Sequence, residues 1–430
     1  MDIKELYQIY LRHPHIQTDT RKLKQGDIFV ALKGPNFNGN DYAKTALDAG
    51  ASYCIVDEET GFKDPRVIKV EDGLKALQDL ALHHRQQFRI PFIAITGSNG
   101  KTTTKELVHA VLSSTYTTYT TIGNLNNHIG IPLTILSIRP DAEIAIIEMG
   151  ANHQKEIAGY CVYALPTHGL ITNCGKAHLE GFGGIEGVRK GKGELYDYLR
   201  AHKGTAFVNW DYDYLREMCR GIEHIVRYGS DARDEGLYVA GDVSNSDPFL
   251  SVGISKGCQQ IKTIHTKLVG DYNLPNVLTA VAVGKFFQVP EDRIQAALEQ
   301  YEATNSRSQL MQKGSNRVIL DAYNANPNSM KAAIENFARM EGGRKVLILG
   351  AMMELGADSH AEHLKLVNLI RQYTWQEVVL VGADFADVAD GYLHFNQTRE
   401  AVDWFKQSGI ENSLILLKGS RSMQMEKLLD

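Results

Sequence analysis

The sequence predicts an α/β protein of three domains, and three observations carry that prediction. Short apolar, β-branched runs alternate with helical patterns along most of the chain, the signature of parallel sheets flanked by helices. The 430 residues exceed what one hydrophobic core usually organises. A strand, a glycine-containing turn and a helix follow one another directly over residues 91–112, so the middle of the chain is organised around that junction.

The first region, 1–90, reads as a small α/β unit. A helix is expected at 3–11 and a strand at 27–32, while 34–40 holds too many Gly and Asn residues for a regular element. A helix at 42–49, a strand at 53–56 and a helix at 73–86 complete it, and Phe88-Arg89-Ile90-Pro91 marks a boundary. In the second region, 91–304, the strand at 91–95 and its helix are followed by apolar strands at 143–148 and 169–172, then by one at 204–209. Residues 237–264 read as an antiparallel insertion, and helices at 274–287 and 291–301 close a doubly wound domain. The third region, 305–430, alternates again, with strands at 318–321, 346–349, 378–381 and 414–417. It carries no second glycine loop, so it is expected to supply residues to a shared cleft, with a hinge near Asn305.

The junction itself reads Thr96-Gly97-Ser98-Asn99-Gly100-Lys101-Thr102-Thr103. Gly97 and Gly100 permit backbone angles that other residues avoid, so successive N–H groups and a helix N-terminus can point at one phosphate. Lys101 would reach the terminal phosphates of a nucleotide, and the Thr102 hydroxyl would ligate the accompanying Mg²⁺. The position five before Gly100 is Ile95 rather than Gly, so this is a tighter variant of the common phosphate loop. A chance glycine-rich turn would lack the strand and helix on either side.

Other candidates carry bland alternatives. Glu148 ends a strand, where an acid suits Mg²⁺ beside the loop or simply faces solvent. His178 follows the next strand end; a lone His is usually structural, but a loop on the phosphate side favours function. Lys192, in Gly191-Lys192-Gly193-Glu194, reads from the residues alone as a solvated helix lysine. Asn126 and Asn127 lie in a glycine-flanked amide cluster that suits either a polar ligand or a plain turn. Asp321 and Asn324 end one strand of the third region, and Lys418, Ser420 and Arg421 end another, two polar loops expected on one sheet edge.

Composition narrows the class. With 43% hydrophobic and 23% charged residues and a formal charge of −5, the composition gives no support for a nucleic-acid partner. Five dispersed cysteines suggest neither a disulfide framework nor a zinc site. The first residues lack the apolar core of a signal peptide, and no run of about 18 apolar residues occurs, so a cytoplasmic protein without a membrane segment is expected.

Taken together, these residues resemble the Mur ligase family of ATP-dependent amide-forming enzymes over nearly the whole chain. The loop 96–102 is shared with folylpolyglutamate synthases and cyanophycin synthetases and names only the superfamily. Thr18-Asp19-Thr20-Arg21 with Gly26-Asp27-Ile28-Phe29-Val30-Ala31-Leu32-Lys33-Gly34 looks like the UDP-sugar-binding domain of the later-acting members. The segments Ala177-His178-Leu179-Glu180-Gly181-Phe182-Gly183, Asp321-Ala322-Tyr323-Asn324-Ala325-Asn326-Pro327 and Lys418-Gly419-Ser420-Arg421 look like those of the member that takes D-alanyl-D-alanine.

The resemblance implies a small UDP-sugar-binding domain (1–90), a central phosphate-loop ATPase domain (91–304) and a Rossmann-like ligase domain (305–430). It implies ATP and Mg²⁺, with UDP-N-acetylmuramoyl-tripeptide and D-alanyl-D-alanine as substrates of a monomer. Thr102, Glu148, His178 and a carbamylated Lys192 match metal ligands; Lys101, His178 and Lys192 match catalytic positions; Asn276, Arg307 and Asp321 match nucleotide contacts. Thr20, Arg21, Asn38 and Gly39 match substrate contacts of the first domain. Two departures stand out: Asp271-Tyr272-Asn273 replaces a usual His-Asn pair, and Ala351 replaces the Asp of Gly-Asp-Met. A folate-type ligase lacks such a first domain, and a sister ligase adding a diamino acid would carry an Asp-Asn-Pro-Arg stretch that the third region lacks. A regulatory protein with a degenerate site is disfavoured by the joint presence of Lys101, Thr102, Glu148, His178 and Lys192.

Overall fold

Alternating apolar runs become three parallel-dominated sheets and one short ribbon in the computed structural model, which describes residues 2–303 and 306–430. The expected hinge near Asn305 lies outside the described residues.

The first sheet is parallel, in the order Ile16–Gln17, Ile28–Val30, Tyr53–Val56, Val67–Lys69. Residues 34–40, expected to be irregular, instead contribute to a ribbon of Lys33–Gly34 against Phe37–Asn38 and to the 3₁₀ turn Gly39–Tyr42. The reason is local: Asn38 Oδ1 accepts the Asn40 N–H and caps the turn. Helices Ile3–Arg12 and Gly73–Arg85 carry this unit onto the middle of the molecule, where Leu6, Tyr10 and Leu77 share one core with Ile131, Ile135 and Cys161. Arg85 fastens the junction by donating to the carbonyls of Ala164 and Leu165 while its guanidinium lies 3.7 Å from the Phe92 ring centroid.

The central sheet has nine strands. Phe92–Thr96 lies between Ile144–Glu148 and His168–Ile171, all parallel. The chain builds first to one side, through Thr118–Thr120, and then to the other, through Thr205–Asn209 and His224–Gly229. That reversal opens a crevice at the carboxyl ends of the strands, the usual ligand position in such sheets. The antiparallel strands Val239–Asn245, Ser251–Lys256 and Thr263–His265 do not stand apart as an insertion, because Val239 pairs in parallel with Tyr228 and continues the main sheet.

The third sheet runs Gln309–Lys313, Asn316–Asp321, Leu414–Lys418, Lys345–Gly350, Glu377–Val381, Leu393–Phe395, parallel except at the first edge. Its register sets Asp321 beside Lys418, and Lys418 beside Leu349. Apolar side chains cover both faces, with Ile334, Leu347 and Val367 on one and Val346, Val379 and Ile415 on the other.

Candidate active site

The strand ending at Thr96 cannot run straight into its helix without two residues free of a Cβ. Gly97 has φ +142°, and a Cβ there would lie 2.0 Å from Thr172 Oγ1; Gly100 has φ +79° and would press Asn276 Oδ1 at 2.7 Å. Helix Lys101–Ser113 therefore starts directly at the turn, with its unpaired N–H groups facing the crevice. The neighbouring strand end braces the loop. Ser98 N–H donates to the Asn173 carbonyl, Asn99 N–H to Asn173 Oδ1 and Thr172 Oγ1 to the Asn99 carbonyl. Lys101 folds back onto its own loop, donating to the carbonyls of Gly97 (2.7 Å) and Ser98 (3.2 Å). Burial lowers its pKa, Glu148 pulls it back up, and Arg307 adds to the fall.

Glu148 is 1% exposed. Its Oε1 accepts from Thr102 Oγ1 (3.1 Å) and Asn126 Nδ2 (2.8 Å), while its buried Oε2 has no donor among the described residues. A buried carboxylate oxygen without a donor, next to a hydroxyl, fits a hard cation such as Mg²⁺. Asn127 is used differently. Its Oδ1 caps the N–H groups of Ile129 and Gly130, so the turn reading describes its side chain.

Of the four expected metal ligands, only Thr102 and Glu148 meet. Among the described residues no three His, Cys, Asp or Glu side chains converge on one point. His178 has φ +54° and turns its Nδ1 to Glu354 Oε2 across the cleft, 2.6 Å away, which holds the Glu354 carboxyl below its usual range. Lys192 is no solvated lysine: it is 1% exposed, its Nζ donates to the Ala151 carbonyl (2.9 Å), and it lies 4.9 Å from the Phe182 ring centroid. The helix Ile185–Ala201 buries the face carrying Val188, Leu195 and Leu199, and Lys192 lies on that same face. Burial first, and Lys101 second, push its pKa down to about 7.

The opposing wall belongs to the third sheet. Lys418 is 2% exposed, and its Nζ donates to Asp321 Oδ2 (2.6 Å) and to the Asn324 carbonyl (3.3 Å). Asp321 Oδ1 also accepts the Ser308 N–H. Arg307 stacks 3.6 Å above the Tyr323 ring, Arg421 lies 4.9 Å from the same ring, and Arg307 Nε is buried without a partner among the described residues. Ser420 does not reach the cleft as expected. It is 2% exposed, and its Oγ accepts the Met353 N–H (2.9 Å), fixing a neighbouring loop. The departures from the family pattern fit their surroundings. Ala351 is fully buried, and a Cβ added at Gly382 would lie 2.6 Å from its own Cβ, so that strand end is close-packed around a small side chain. Tyr272 instead donates or accepts with Ser308 Oγ, and Asp271 pairs with Arg339.

The two walls enclose a cleft of about 780 Å³ that takes in the loop 98–103, Glu148, His178, Asn276, Arg307 and Asp321. Asn324, Asn126, Asn127 and Lys418 also line it. Arg421 lines an adjoining recess of about 290 Å³ with Arg307 and Tyr323. Asn276 is held in place by Thr104 Oγ1 and by its own bond to Asn273 Oδ1. Direct contacts close the walls on each other: Asn326 Nδ2 to Asn99 Oδ1 at 2.6 Å and Lys176 Nζ to Glu362 at 2.8 Å. Thr20, Arg21, Asn38 and Gly39 are not part of this cleft; Arg21 pairs with Asp19, and Asn38 donates to Glu58. Sequence reasoning misses Glu354, Glu156 and the stacked pair Tyr212 and Tyr214, all on the cleft wall. Glu354 lacks the signal that singles out Asp321 and Lys418: those two end their strands, whereas Glu354 lies four residues beyond the strand end at Gly350.

Comparison with known proteins agrees with this geometry. Three family models match: the Mur ligase family catalytic domain over residues 14–85, the Mur ligase middle domain over 95–284 and the Mur ligase glutamate ligase domain over 306–421. The UDP-N-acetylmuramoyl-tripeptide–D-alanyl-D-alanine ligase of Escherichia coli is 36% identical over 96% of this chain and 92% of its own length. A crystal structure of MurF from Acinetobacter baumannii is 30% identical, covers 99% of this chain and 97% of its own, and superposes with a TM-score of 0.87. MurF from Thermotoga maritima, solved with ADP, is 25% identical with a TM-score of 0.85 over 97% of both chains. A phosphate loop at the switch point, a third sheet closing over it and relatives of this similarity along the whole length place the chain in the Mur ligase family.

Proposed function

We propose that the enzyme joins D-alanyl-D-alanine to UDP-N-acetylmuramoyl-tripeptide, coupled to cleavage of ATP, as a cytoplasmic monomer in peptidoglycan precursor synthesis. The carrying observation is that the phosphate loop and the Asp321–Lys418 wall face one cleft, in a chain whose full-length relatives bear that activity in their names. Among the described residues the five cysteines are free, and no helix is long and apolar enough to cross a membrane.

Amide formation from an ionised carboxylate needs a leaving group. A carboxylate oxygen of the tripeptide attacks the γ-phosphorus of ATP, the bond to ADP breaks, and an acyl phosphate forms. The dipeptide ammonium first loses a proton to solvent; the free amine then attacks the acyl carbon, phosphate leaves, and the nitrogen releases a second proton. The N–H groups of 100–103 hold the phosphates, and Lys101, released from the Gly97 and Ser98 carbonyls, offsets the repulsion between carboxylate and γ-phosphate. Thr102 and Glu148 would hold Mg²⁺, which supplies further charge neutralisation at the phosphates. Asn276 contacts the nucleotide from beside the loop, and Arg307 and Asp321 from across the cleft. Lys192 acts as a carbamate: a buried amine with a pKa of about 7 is substantially neutral at physiological pH and can add CO₂, whereas a buried ammonium beside a cation would be repelled. The unit 1–90 holds the UDP-sugar end through Thr20, Arg21, Asn38 and Gly39, the unit 91–304 carries ATP, and the unit 305–430 brings the amine.

The test is ADP formation with UDP-N-acetylmuramoyl-tripeptide and a panel of amines. D-alanyl-D-alanine supports turnover, single D-alanine is a very poor substrate, and diaminopimelate with the dipeptide precursor gives none. Comparable rates with diaminopimelate, or with glutamate on a folate, contradict the proposal.

A further inference from the structure

Glu354 sits in the loop after strand Lys345–Gly350, on the C-terminal wall of the cleft. Three fixtures hold that loop. Met352 N–H donates to His363 Nε2 (3.0 Å), Met353 N–H donates to Ser420 Oγ (2.9 Å), and Leu355 is buried. Between them Glu354 adopts φ +63°, a left-handed conformation that a residue with a Cβ keeps only when its surroundings impose it. From there its Oε2 reaches His178 Nδ1 at 2.6 Å, on the side of the cleft that carries the phosphate loop.

Four carboxylates line the cleft among the described residues, and three are already engaged. Glu156 Oε2 accepts the N–H groups of Asn152 and His153. Asp321 is held by Lys418 and by the Ser308 N–H. Glu148 is sealed at 1% exposure with Thr102 and Asn126 on one oxygen. Glu354 differs: its side chain is 52% exposed, and its Oε1 has no donor among the described residues. The cations that line the same cleft, Lys101, Arg307 and Lys418, suit phosphates and carboxylates. An amine substrate enters mostly as an ammonium at neutral pH, and an accessible carboxylate oxygen suits it.

Resting on the ligation proposed above, we infer that Glu354 is the specificity contact for the amino group of D-alanyl-D-alanine, receiving the ammonium on Oε1 and delivering the nitrogen beside His178. The side chain acts in binding; the bond-forming steps are unchanged.

Steady-state kinetics with the dipeptide varied at saturating ATP and tripeptide test it. In Glu354→Gln the dipeptide KM rises about ten- to hundredfold, the range of a lost charged hydrogen bond, while kcat and the KM for ATP stay within about threefold. Glu354→Asp, which keeps the charge, recovers part of the loss. D-lactoyl-D-alanine, with a hydroxyl in place of the amine, should compete at least about tenfold more weakly than the dipeptide binds to the unaltered enzyme, and this preference should vanish in Glu354→Gln. An unchanged dipeptide KM in Glu354→Gln, or a fall in kcat at constant KM, overturns the inference. Equal binding of the two compounds by the unaltered enzyme overturns it as well, and that arm needs no variant to fold. An unaltered enzyme without dipeptide-dependent ADP release would overturn the ligation reading instead.

Discussion

The two walls of the cleft are built by opposite means. The phosphate-binding part of the central wall is one continuous stretch, 98–103, joined by Glu148 from the adjacent strand at the register Ile95 to Glu148. The C-terminal wall is collected from three strand ends, Asp321, Gly350 and Lys418, and its loops are tied together by Ser420, His363 and Lys418. The difference follows from the ligands proposed for each. A phosphate is held by backbone N–H groups at a helix start, which glycines and a following helix suffice to present. An amine with a peptide tail must be met by side chains at fixed separations, and only sheet register can set those. The first kind of site is therefore compact in sequence and the second is dispersed.

Breaking the central wall should do the most damage. Lys101→Ala is expected to lower kcat by at least about 10³-fold with the unfolding transition unchanged, because one side chain carries the mobile positive charge at the phosphates. An unchanged kcat in the folded variant would remove the phosphate-loop assignment.

Lys192→Met separates chemistry from stability on the same wall. Activity should fall on the order of 10²-fold or more, yet the variant should melt higher than the parent in CO₂-free buffer. The sign follows from the lowered pKa, about 7 in the fold against an ordinary 10.5. Below pH 7 both folded and unfolded chains carry the proton, so the full penalty of burying the charge is present. Between pH 7 and 10.5 the unfolded chain holds the proton more tightly, so the parent gains stability as pH rises. The thermal advantage of Lys192→Met is thus largest near pH 6 and shrinks towards pH 10. A variant that melts lower at pH 6 would show that the Ala151 and Phe182 contacts outweigh the buried charge.

Contacts between the walls should matter less. Asn326→Ala removes the bond to Asn99 Oδ1, and kcat is expected to drop about three- to tenfold, the range of one hydrogen bond, with the tripeptide KM little changed. Smallest is Ser420→Ala, which frees the Met353 N–H: the dipeptide KM should rise about two- to fivefold while the ATP KM holds, since the hydroxyl acts only through the Glu354 loop. An equal rise in both would assign Ser420 to the nucleotide.

Legibility in the sequence follows the same division. Gly97, Gly100, Lys101 and Thr102 are legible because strand, turn and helix follow one another directly from Phe92 to Ser113, and Glu148 because it ends an apolar run. Lys192 reads as solvated because one charged residue on a helix is normally outside. Its spacing from Val188, Leu195 and Leu199 at four, three and seven residues carries the opposite message. The edge strand Gln309–Lys313 escapes because three of its five residues are polar or charged, a pattern that does not separate an edge from a loop. The sequence neighbours of Ser420 point it at the cleft, but the chain turns there and buries it against Met353. Glu354 is hard to place for a different reason: its position depends on three loops that meet only in the folded sheet.

If one wall activates a carboxylate as an acyl phosphate and the other delivers the amine to it, an oxygen atom must pass from the tripeptide to phosphate. UDP-N-acetylmuramoyl-tripeptide labelled with ¹⁸O in its terminal carboxylate, incubated with ATP, Mg²⁺ and D-alanyl-D-alanine, follows that atom by mass spectrometry of both products. One ¹⁸O is expected in each inorganic phosphate released and one in the amide carbonyl of the pentapeptide product. Phosphate free of label, or ADP released without amide formation, would contradict this division of labour between the walls.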